Sequence, residues 1–301
     1  MRLDFFVARA FGLSRRAARE AVRSGRVDVD GRTLDDPGSS VAENARVTVH
    51  PDRPPRRRVR TRLSVLHEDG ELVIVEKPAG ILTIATADRE KDTLLSRVSL
   101  YLAHRYRRRP YVGVVHRLDR DTSGAVVFAR SREALRFLQE RFRRHEIERE
   151  YVAIVEGSPP PDGAFDAELT GDGVARRRSV VRRGERGKPA RTRYRVLERL
   201  GTASLVSVEL ETGRTHQIRI HLAAAGYPVL GDRVYRPRSA PEPPVAVPRQ
   251  MLHARRLGVP SPRDLRPISV EAPLPEDFRA VLAALRKRSD RKEKAPRDPG
   301  R

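Results

Sequence analysis

The 301-residue sequence contains no cysteine and no tryptophan, and aromatic residues make up only 5% of it. Without cysteine the chain cannot form disulfide bonds, use a thiol nucleophile or build a cysteine-ligated zinc site. No apolar run approaches the roughly 20 residues of a membrane-spanning helix, and the N-terminus lacks the pattern of a secretion signal. These absences predict a cytoplasmic protein with no membrane partner.

Acidic residues are also few relative to basic ones. The sequence contains 40 Asp and Glu and 62 Lys and Arg, and its formal net charge at pH 7 is +22. A surplus of this size favours a polyanionic partner, because binding releases counterions from the polyanion. The length allows a sizeable core and more than one domain. The composition therefore indicates a nucleic-acid-binding protein, although charged tails could raise the charge in the same way.

The first 50 residues show the pattern of two helices followed by a hairpin. Ser14 is placed to cap the second helix, and Asp30-Gly31 supplies the positive φ values that a two-residue hairpin turn needs. The second helix is basic, and its candidate RNA contacts are Arg15, Arg16 and Arg19. This arrangement resembles the small RNA-binding domain first known from ribosomal protein S4. The alternative is an ordinary solvated basic face.

A polar run from His116 to Gly124 lies between two apolar, strand-like segments. It places charge at the end of one buried strand and the start of another. The residue types alone leave three interpretations open: a charged turn, a metal-binding carboxylate pair of Asp119 and Asp121, or a hydrolase-like set of His116, Asp119 and Ser123. The pair lacks a third ligand at close spacing, and neighbours in one short segment rarely converge as a triad.

Three further segments carry candidate functional residues. Lys77-Pro78-Ala79-Gly80 ends a strand-like run, and Tyr151 lies near the start of another apolar strand. The third segment runs from Thr212 to Leu222 and becomes helical in character from Thr215. Its two histidines are five positions apart, a poor spacing for a zinc site on one helical face.

The amino-acid sequence of the polar run resembles the catalytic signature of the RluA-type pseudouridine synthases. His-Arg-Leu-Asp is followed by two residues and Thr-Ser-Gly, and Thr212 to Arg219 is similar to the family's third motif. The resemblance covers about residues 63 to 280. It implies an α+β protein in which a helix-rich N-terminal RNA-binding domain precedes a catalytic domain built on a mixed, largely antiparallel sheet flanked by helices.

Residue roles follow from the resemblance position by position. Asp119 matches the catalytic carboxylate, Arg117 the residue that displaces the target base, and Tyr151 the tyrosine that contacts that base. Arg214 is the candidate for an ion pair with Asp119, with Arg219 as the alternative. His116 and Thr122 are assigned to substrate binding together with Arg219. The reaction is an isomerisation, so the family implies neither a cofactor nor a metal.

The function implied is the isomerisation of specific uridines in RNA, with large-subunit ribosomal RNA as the expected partner and a monomer as the expected state. A pseudouridine synthase acting on transfer RNA, a non-catalytic ribosome-associated RNA-binding protein and a metal-dependent nuclease are the alternatives. The predicted domains are an RNA-binding domain at 1–50, a basic linker at 51–62, a catalytic domain at 63–285 and a disordered basic tail at 286–301.

Overall fold

The computed structural model describes residues 1–42, 44–54, 63–88, 90–107, 110–170, 179–181, 187–237 and 239–294. They form two compact units, Met1–Arg60 with Glu90–Asp92, and the remainder of the chain. Most of the predicted linker and parts of the Arg-rich segment at 176–193 lie outside the described residues. Within the described ranges, no helix has both the length and the hydropathy that a membrane span requires.

The smaller unit contains α1 (Leu3–Ala10), α2 (Arg15–Arg23), β1 (Val27–Val29), β2 (Arg32–Thr33) and β3 (Val47–Val49). The strands form an antiparallel sheet in the order β2-β1-β3. Ser14 caps α2 as predicted, because its Oγ accepts a hydrogen bond from the Ala17 amide at 3.1 Å. Asp30 and Gly31 have φ angles of 48° and 75°, as a tight hairpin turn requires. The predicted helices and hairpin are confirmed.

The larger unit contains ten described strands and four described helices. The strands are β4 (Ser64–Glu68), β5 (Leu72–Lys77), β6 (Gly113–Val114), β7 (Ser123–Ala129), β8 (Glu148–Glu156), β9 (Asp162–Thr170), β10 (Gly187–Arg199), β11 (Ala203–Leu210), β12 (Leu252–Pro260) and β13 (Pro267–Glu271). The helices are α3 (Leu94–Tyr106), α4 (Arg132–Arg143), α5 (Gln217–Ala224) and α6 (Glu276–Lys294).

These strands form one sheet in the order β4-β5-β7-β12-β8-β11-β10-β9, with β13 paired to β12 and β6 to β7. Strands β7 and β12 are parallel, and the other described pairs in this sheet are antiparallel. The mixed, largely antiparallel α+β architecture expected from the sequence is confirmed.

Alternate residues of the central strands pack against helices on both faces of the sheet, because side chains in a strand point to opposite faces in turn. On β5, Val73 and Val75 join the core that includes residues of α3 and α5. Leu72 and Ile74 join a separate core that includes residues of α4. Helix α6 packs on β8 through Phe278. Because both faces are covered, the central strands β5 and β7 are buried along nearly their whole length, and function is left to the loops at their ends.

Gly124 lies where β7 pairs with β12. Its φ is 124°, and a Cβ there would lie 2.2 Å from the carbonyl oxygen of Ala254. We therefore expect Gly124→Ala to destabilise the protein by about 3 kcal/mol, because backbone strain and steric overlap add. Gly226→Ala is the matched control, since Gly226 also has a positive φ, of 86°, with no atom within 4 Å of the added Cβ.

Strain alone should cost about 1 kcal/mol at Gly226. Thermal unfolding followed by circular dichroism compares the two variants. Equal destabilisation would contradict the overlap at Ala254.

The predicted disorder of residues 286–301 is wrong for its first part, because α6 continues to Lys294. Two contacts hold the helix where this part begins. Leu285 is buried in the core beneath the helix, and the guanidinium of Arg286 donates hydrogen bonds to both carboxylate oxygens of Glu198, at 2.8 and 2.6 Å. The basic composition that suggested disorder is compatible with a helix, since Lys, Arg and Glu have high helix propensity. Residues 295–301 lie outside the described residues.

Candidate active site

Lys77, the last residue of β5, anchors the polar run that precedes β7. Its fully buried ammonium group donates hydrogen bonds to the carbonyl oxygens of Arg120 and Thr122, both at 2.8 Å, and of Pro78 at 3.1 Å. Burial lowers the pKa of Lys77 to about 7. The Lys-Pro segment is therefore part of the support of the loop that carries Asp119.

Two more side chains fix the same loop. The hydroxyl of Thr83 both accepts a hydrogen bond from the amide of Leu118 and donates one to its carbonyl oxygen, at 3.1 Å each. The side-chain amide of Gln250 donates a hydrogen bond to the hydroxyl of Thr122 at 2.8 Å. Because these contacts lie on either side of Asp119, they hold its backbone and give its side chain a fixed direction.

Asp119 belongs to an ion-pair network with Arg219 and Asp232. Its Oδ2 accepts a hydrogen bond from Nη1 of Arg219 at 2.9 Å, and its side chain is 23% exposed. Nε and Nη2 of Arg219 donate to the two carboxylate oxygens of Asp232, at 2.6 and 2.9 Å. Burial lowers the pKa of Arg219, but the two carboxylates raise it by more, above its ordinary value. Arg219 is thus a buried cation shared by two carboxylates.

Arg219, and not Arg214, forms the ion pair with Asp119. The prediction that named Arg214 as the first candidate for this contact is therefore wrong. Helix α5 begins at Gln217, whose Oε1 accepts a hydrogen bond from the Arg214 amide at 2.9 Å. Arg219 lies inside the helix on its buried side, whereas Arg214 lies in the turn before it. The exposed Arg214 side chain donates a hydrogen bond to the carbonyl oxygen of Pro189 at 3.0 Å.

Asp119 opens into a cavity of about 330 Å³ that is also lined by Arg117 and Tyr151. Tyr151 is 7% exposed, and its hydroxyl makes no hydrogen bond to any described residue. Burial raises the pKa of Tyr151, so the phenol is protonated at neutral pH. Arg117 is exposed and forms no ion pair within the described part of the chain. The carboxylate of Asp119, the ring of Tyr151 and the exposed cation of Arg117 thus line the same cavity.

His216 and Asp232 are site residues to which sequence reasoning gave no role. His216 has a φ of 58° immediately before α5, and its Nε2 lies 3.7 Å from Oδ1 of Asp119. Its Nδ1 is 2.8 Å from the hydroxyl of Tyr235. The motif contains His216, and Gly231-Asp232 follows an apolar pair. Nothing local in the sequence connects Asp232 to an arginine 13 positions earlier.

His116 and Thr122, predicted to bind substrate, both have partners within the protein. Nε2 of His116 accepts a hydrogen bond from the Val127 amide at 3.2 Å, and its ring stacks on Phe142 with centroids 4.7 Å apart. Burial and then the nearby charge of Arg149 lower the pKa of His116 to about 3, which keeps the ring neutral. Thr122 is buried. Their contacts with RNA stay predictions.

The other interpretations of the polar run are not matched by the geometry. Ser123 is buried, and its Oγ lies 2.9 Å from Nδ1 of His253, so Ser123 is not partnered with His116 as a triad would need. In the ranges that the structure describes, no group of three or more His, Asp or Glu side chains is arranged to hold a metal ion.

The three arginines predicted to contact RNA from the N-terminal unit lie on α2. The guanidinium of Arg15 lies 4.0 Å from the ring centroid of Phe5. Nε of Arg19 donates a hydrogen bond to the buried carboxylate of Asp4 at 2.9 Å, although the Arg19 side chain remains 44% exposed. Arg16 is exposed. Their role in RNA binding stays a prediction.

Comparison with protein families gives two matches. Residues 71–224 match the family model described as RNA pseudouridylate synthase, and residues 1–47 match that of the S4 domain. The first match contains Asp119, Tyr151 and Arg219, whose geometry is described above. The chain belongs to the RNA pseudouridylate synthase family, which confirms the resemblance seen in the motifs. Members of this family are isomerases that convert uridine to pseudouridine in RNA.

Individual relatives agree with this assignment. The ribosomal large subunit pseudouridine synthase D of Nitrosomonas europaea is 41% identical over 229 residues, covering 74% of this chain and 65% of the relative. The protein of the same name from Pseudomonas aeruginosa is 36% identical over 299 residues, covering 95% of this chain and 92% of the relative. The solved structure of human RNA pseudouridylate synthase domain containing 4 matches with a TM-score of 0.63 and 26% identity, covering 74% of this chain and 93% of that chain.

Proposed function

We propose that the protein converts uridine to pseudouridine in large-subunit ribosomal RNA and that Asp119 is the nucleophile. The observation that carries the proposal is the carboxylate of Asp119, which Arg219 holds at 2.9 Å in a cavity also lined by Tyr151. Pseudouridine formation needs a group that bonds to the nucleotide while its glycosidic bond breaks. An oriented carboxylate is such a nucleophile.

The chemistry balances without an oxidant or a reductant. The bond between N1 of uracil and C1′ of the ribose breaks, the base turns, and a bond forms between C5 and C1′. The hydrogen on C5 leaves as a proton, and N1 gains one. Asp119 attacks either the sugar or the base, and in both cases the bond to its carboxylate oxygen later breaks, so the carboxylate is regenerated.

Arg117 and Tyr151 are suited to handle the displaced uridine. Extruding a stacked base costs a few kcal/mol, which the protein must offset with its own contacts. Arg117 is exposed beside the cavity and can occupy the space that the base leaves. The ring of Tyr151 forms a wall on which uracil can stack. We assign base displacement to Arg117 and stacking to Tyr151.

The choice of ribosomal RNA is supported by the relatives and by the N-terminal unit. Two relatives covering 74% and 95% of this chain carry a name that specifies the ribosomal large subunit. The S4 domain match at residues 1–47 and the net charge of +22 support sequence-independent affinity for RNA. Specificity is then left to RNA shape and to the flipped base.

Mapping pseudouridines in cells that lack the gene tests this function. We expect sites in large-subunit ribosomal RNA to disappear in the deletion and to return with the intact protein but not with Asp119→Asn. If sites were lost only from transfer RNA, the proposed reaction would stand and the proposed substrate would change to transfer RNA. If no site were lost, the non-catalytic RNA-binding alternative would replace the proposed function.

The same proposal includes a cytoplasmic location and a monomeric state. Ribosomal RNA as substrate supports the location expected from the composition. One chain supplies Asp119, Arg219, Tyr151 and Asp232, which supports a monomer. Light scattering on the purified protein should report the mass of a single chain, and a stable dimer at micromolar concentration would contradict the monomer.

A further inference from the structure

A second cavity, of about 550 Å³, adjoins the catalytic one and shares Arg117, Tyr151 and Arg214 with it. Its lining includes four arginines, Arg117, Arg143, Arg149 and Arg214, together with His145 and the neutral ring of His116. No Asp or Glu is among the described residues that line it. A concave surface with charge of one sign, next to the place where a nucleotide reacts, is suited to an anion.

Arg149 differs from the other arginines of this cavity because it is partly buried, and it lacks a carboxylate partner among the described residues. It lies on β8, two positions before Tyr151. Its Nη2 donates a hydrogen bond to the carbonyl oxygen of Leu210 at 3.2 Å, and its Nε is buried without a hydrogen-bond partner. Because even partial burial of a cation without a counter-charge is unfavourable, its presence beside a reactive cavity points to binding of an anion.

The remaining nitrogen of Arg149, Nη1, lies beside Gly213. Within the described part of the chain, Nη1 has no hydrogen-bond partner. A Cβ at Gly213 would lie 2.8 Å from Nη1, and Gly213 lines both cavities. Because Gly213 has no side chain, the guanidinium of Arg149 can lie against its backbone where the two cavities meet, and Nη1 keeps its capacity to donate a hydrogen bond to a ligand.

We propose that Arg149 binds a phosphodiester group of the RNA strand directly next to the reacting nucleotide. This proposal rests on the proposed function, because a uridine held at Asp119 remains joined to its flanking phosphates, which must lie beside the catalytic cavity. Phosphate oxygens accept strong charge-assisted hydrogen bonds from guanidinium groups. The exposed Arg143 and Arg214 add longer-range attraction to the same strand.

The salt dependence of RNA binding tests this contact without requiring turnover. A large-subunit ribosomal RNA transcript is bound at a series of salt concentrations to the intact protein and to Arg149→Gln, Arg149→Lys and Arg266→Gln. Arg149→Gln should reduce the slope of log K against log salt by about 0.7 to 0.9, the amount for one phosphate contact. Arg149→Lys should keep the slope. Arg266→Gln, which removes a charge that is 85% exposed in the β12–β13 turn, should also keep it.

Kinetics on the same transcript separate phosphate binding from an effect on Tyr151. A lost phosphate contact should raise KM about tenfold in Arg149→Gln and leave kcat within about threefold. An unchanged slope in Arg149→Gln, with a lower kcat and a shifted pH profile, would overturn the proposal in favour of electrostatic tuning of Tyr151. Should the intact protein fail to isomerise the transcript, the proposed function fails, and the salt slope still decides the role of Arg149. If Arg149→Gln does not fold, Arg149→Met takes its place: a slope reduced by about 0.7 to 0.9 supports the phosphate contact, and an unchanged slope overturns it.

Discussion

Asp119→Asn is expected to abolish turnover and to leave RNA binding intact. The amide has nearly the shape of the carboxylate, and its oxygen can still accept the hydrogen bond from Nη1 of Arg219. It is not a nucleophile, however, so the rate of pseudouridine formation should fall by about 10⁴ or more. Single-turnover assays measure the rate, and the dissociation constant for the RNA should change less than about threefold.

Asp121→Asn is the matched control for that variant. Asp121 lies two positions further along the same loop, is exposed, and takes no part in the Asp119–Arg219 ion pair. Because the substitution removes the same charge from the same loop, we expect the rate to stay within about threefold of the intact protein. Equal losses in the two variants would show that the charge of the loop matters rather than the nucleophile. Retained activity in Asp119→Asn would remove Asp119 from that role.

Arg219→Gln is expected to lower both stability and rate. The substitution leaves Asp232, which is 1% exposed, without its cation and frees Asp119 from its hydrogen bond. Breaking a buried ion pair from one side costs about 3–5 kcal/mol. Since the nucleophile also loses its fixed orientation, we expect the rate to fall by about 10²-fold or more. Thermal unfolding and single-turnover kinetics on the folded protein measure the two effects.

Arg214→Gln provides the comparison that distinguishes the two arginines. The Arg214 side chain is exposed and donates only to the carbonyl oxygen of Pro189 among the described contacts, so stability should change by less than about 0.5 kcal/mol. Because Arg214 lines both cavities, we expect Arg214→Gln to have a higher KM for RNA rather than a lower stability. The opposite pattern, with Arg214→Gln more destabilising than Arg219→Gln, would contradict the ion-pair network.

Local structure was predictable wherever a few neighbouring residues determine it. Ser14 caps α2 because a hydroxyl can satisfy a free amide at a helix N-terminus. Asp30-Gly31 forms the predicted turn because both residues tolerate positive φ. The mixed, largely antiparallel sheet was expected from the resemblance of the motifs to the pseudouridine synthases. The sequence of the polar run from His116 to Gly124 identified Asp119 as the candidate catalytic aspartate.

Contacts between distant parts of the chain were not predictable in this way. Choosing between Arg214 and Arg219 required the start of α5, which decides which side chain faces Asp119, and helix ends are uncertain by one or two residues from sequence. The pairing of Asp232 with Arg219 depends on tertiary packing. For Arg149, an ordinary basic residue in sequence, the partial burial and missing carboxylate partner appear only in the folded chain.

Release of the C5 hydrogen of uridine tests the central claim most directly, because the new bond to C1′ cannot form at C5 while that hydrogen remains. Large-subunit ribosomal RNA transcribed with uridine tritiated at C5 is incubated with the purified protein, and tritium appearing in water is counted. We predict release by the intact protein and by Asp121→Asn, in step with pseudouridine formation, and none by Asp119→Asn. Absence of release from both ribosomal and transfer RNA, or equal release by Asp119→Asn, would contradict the account.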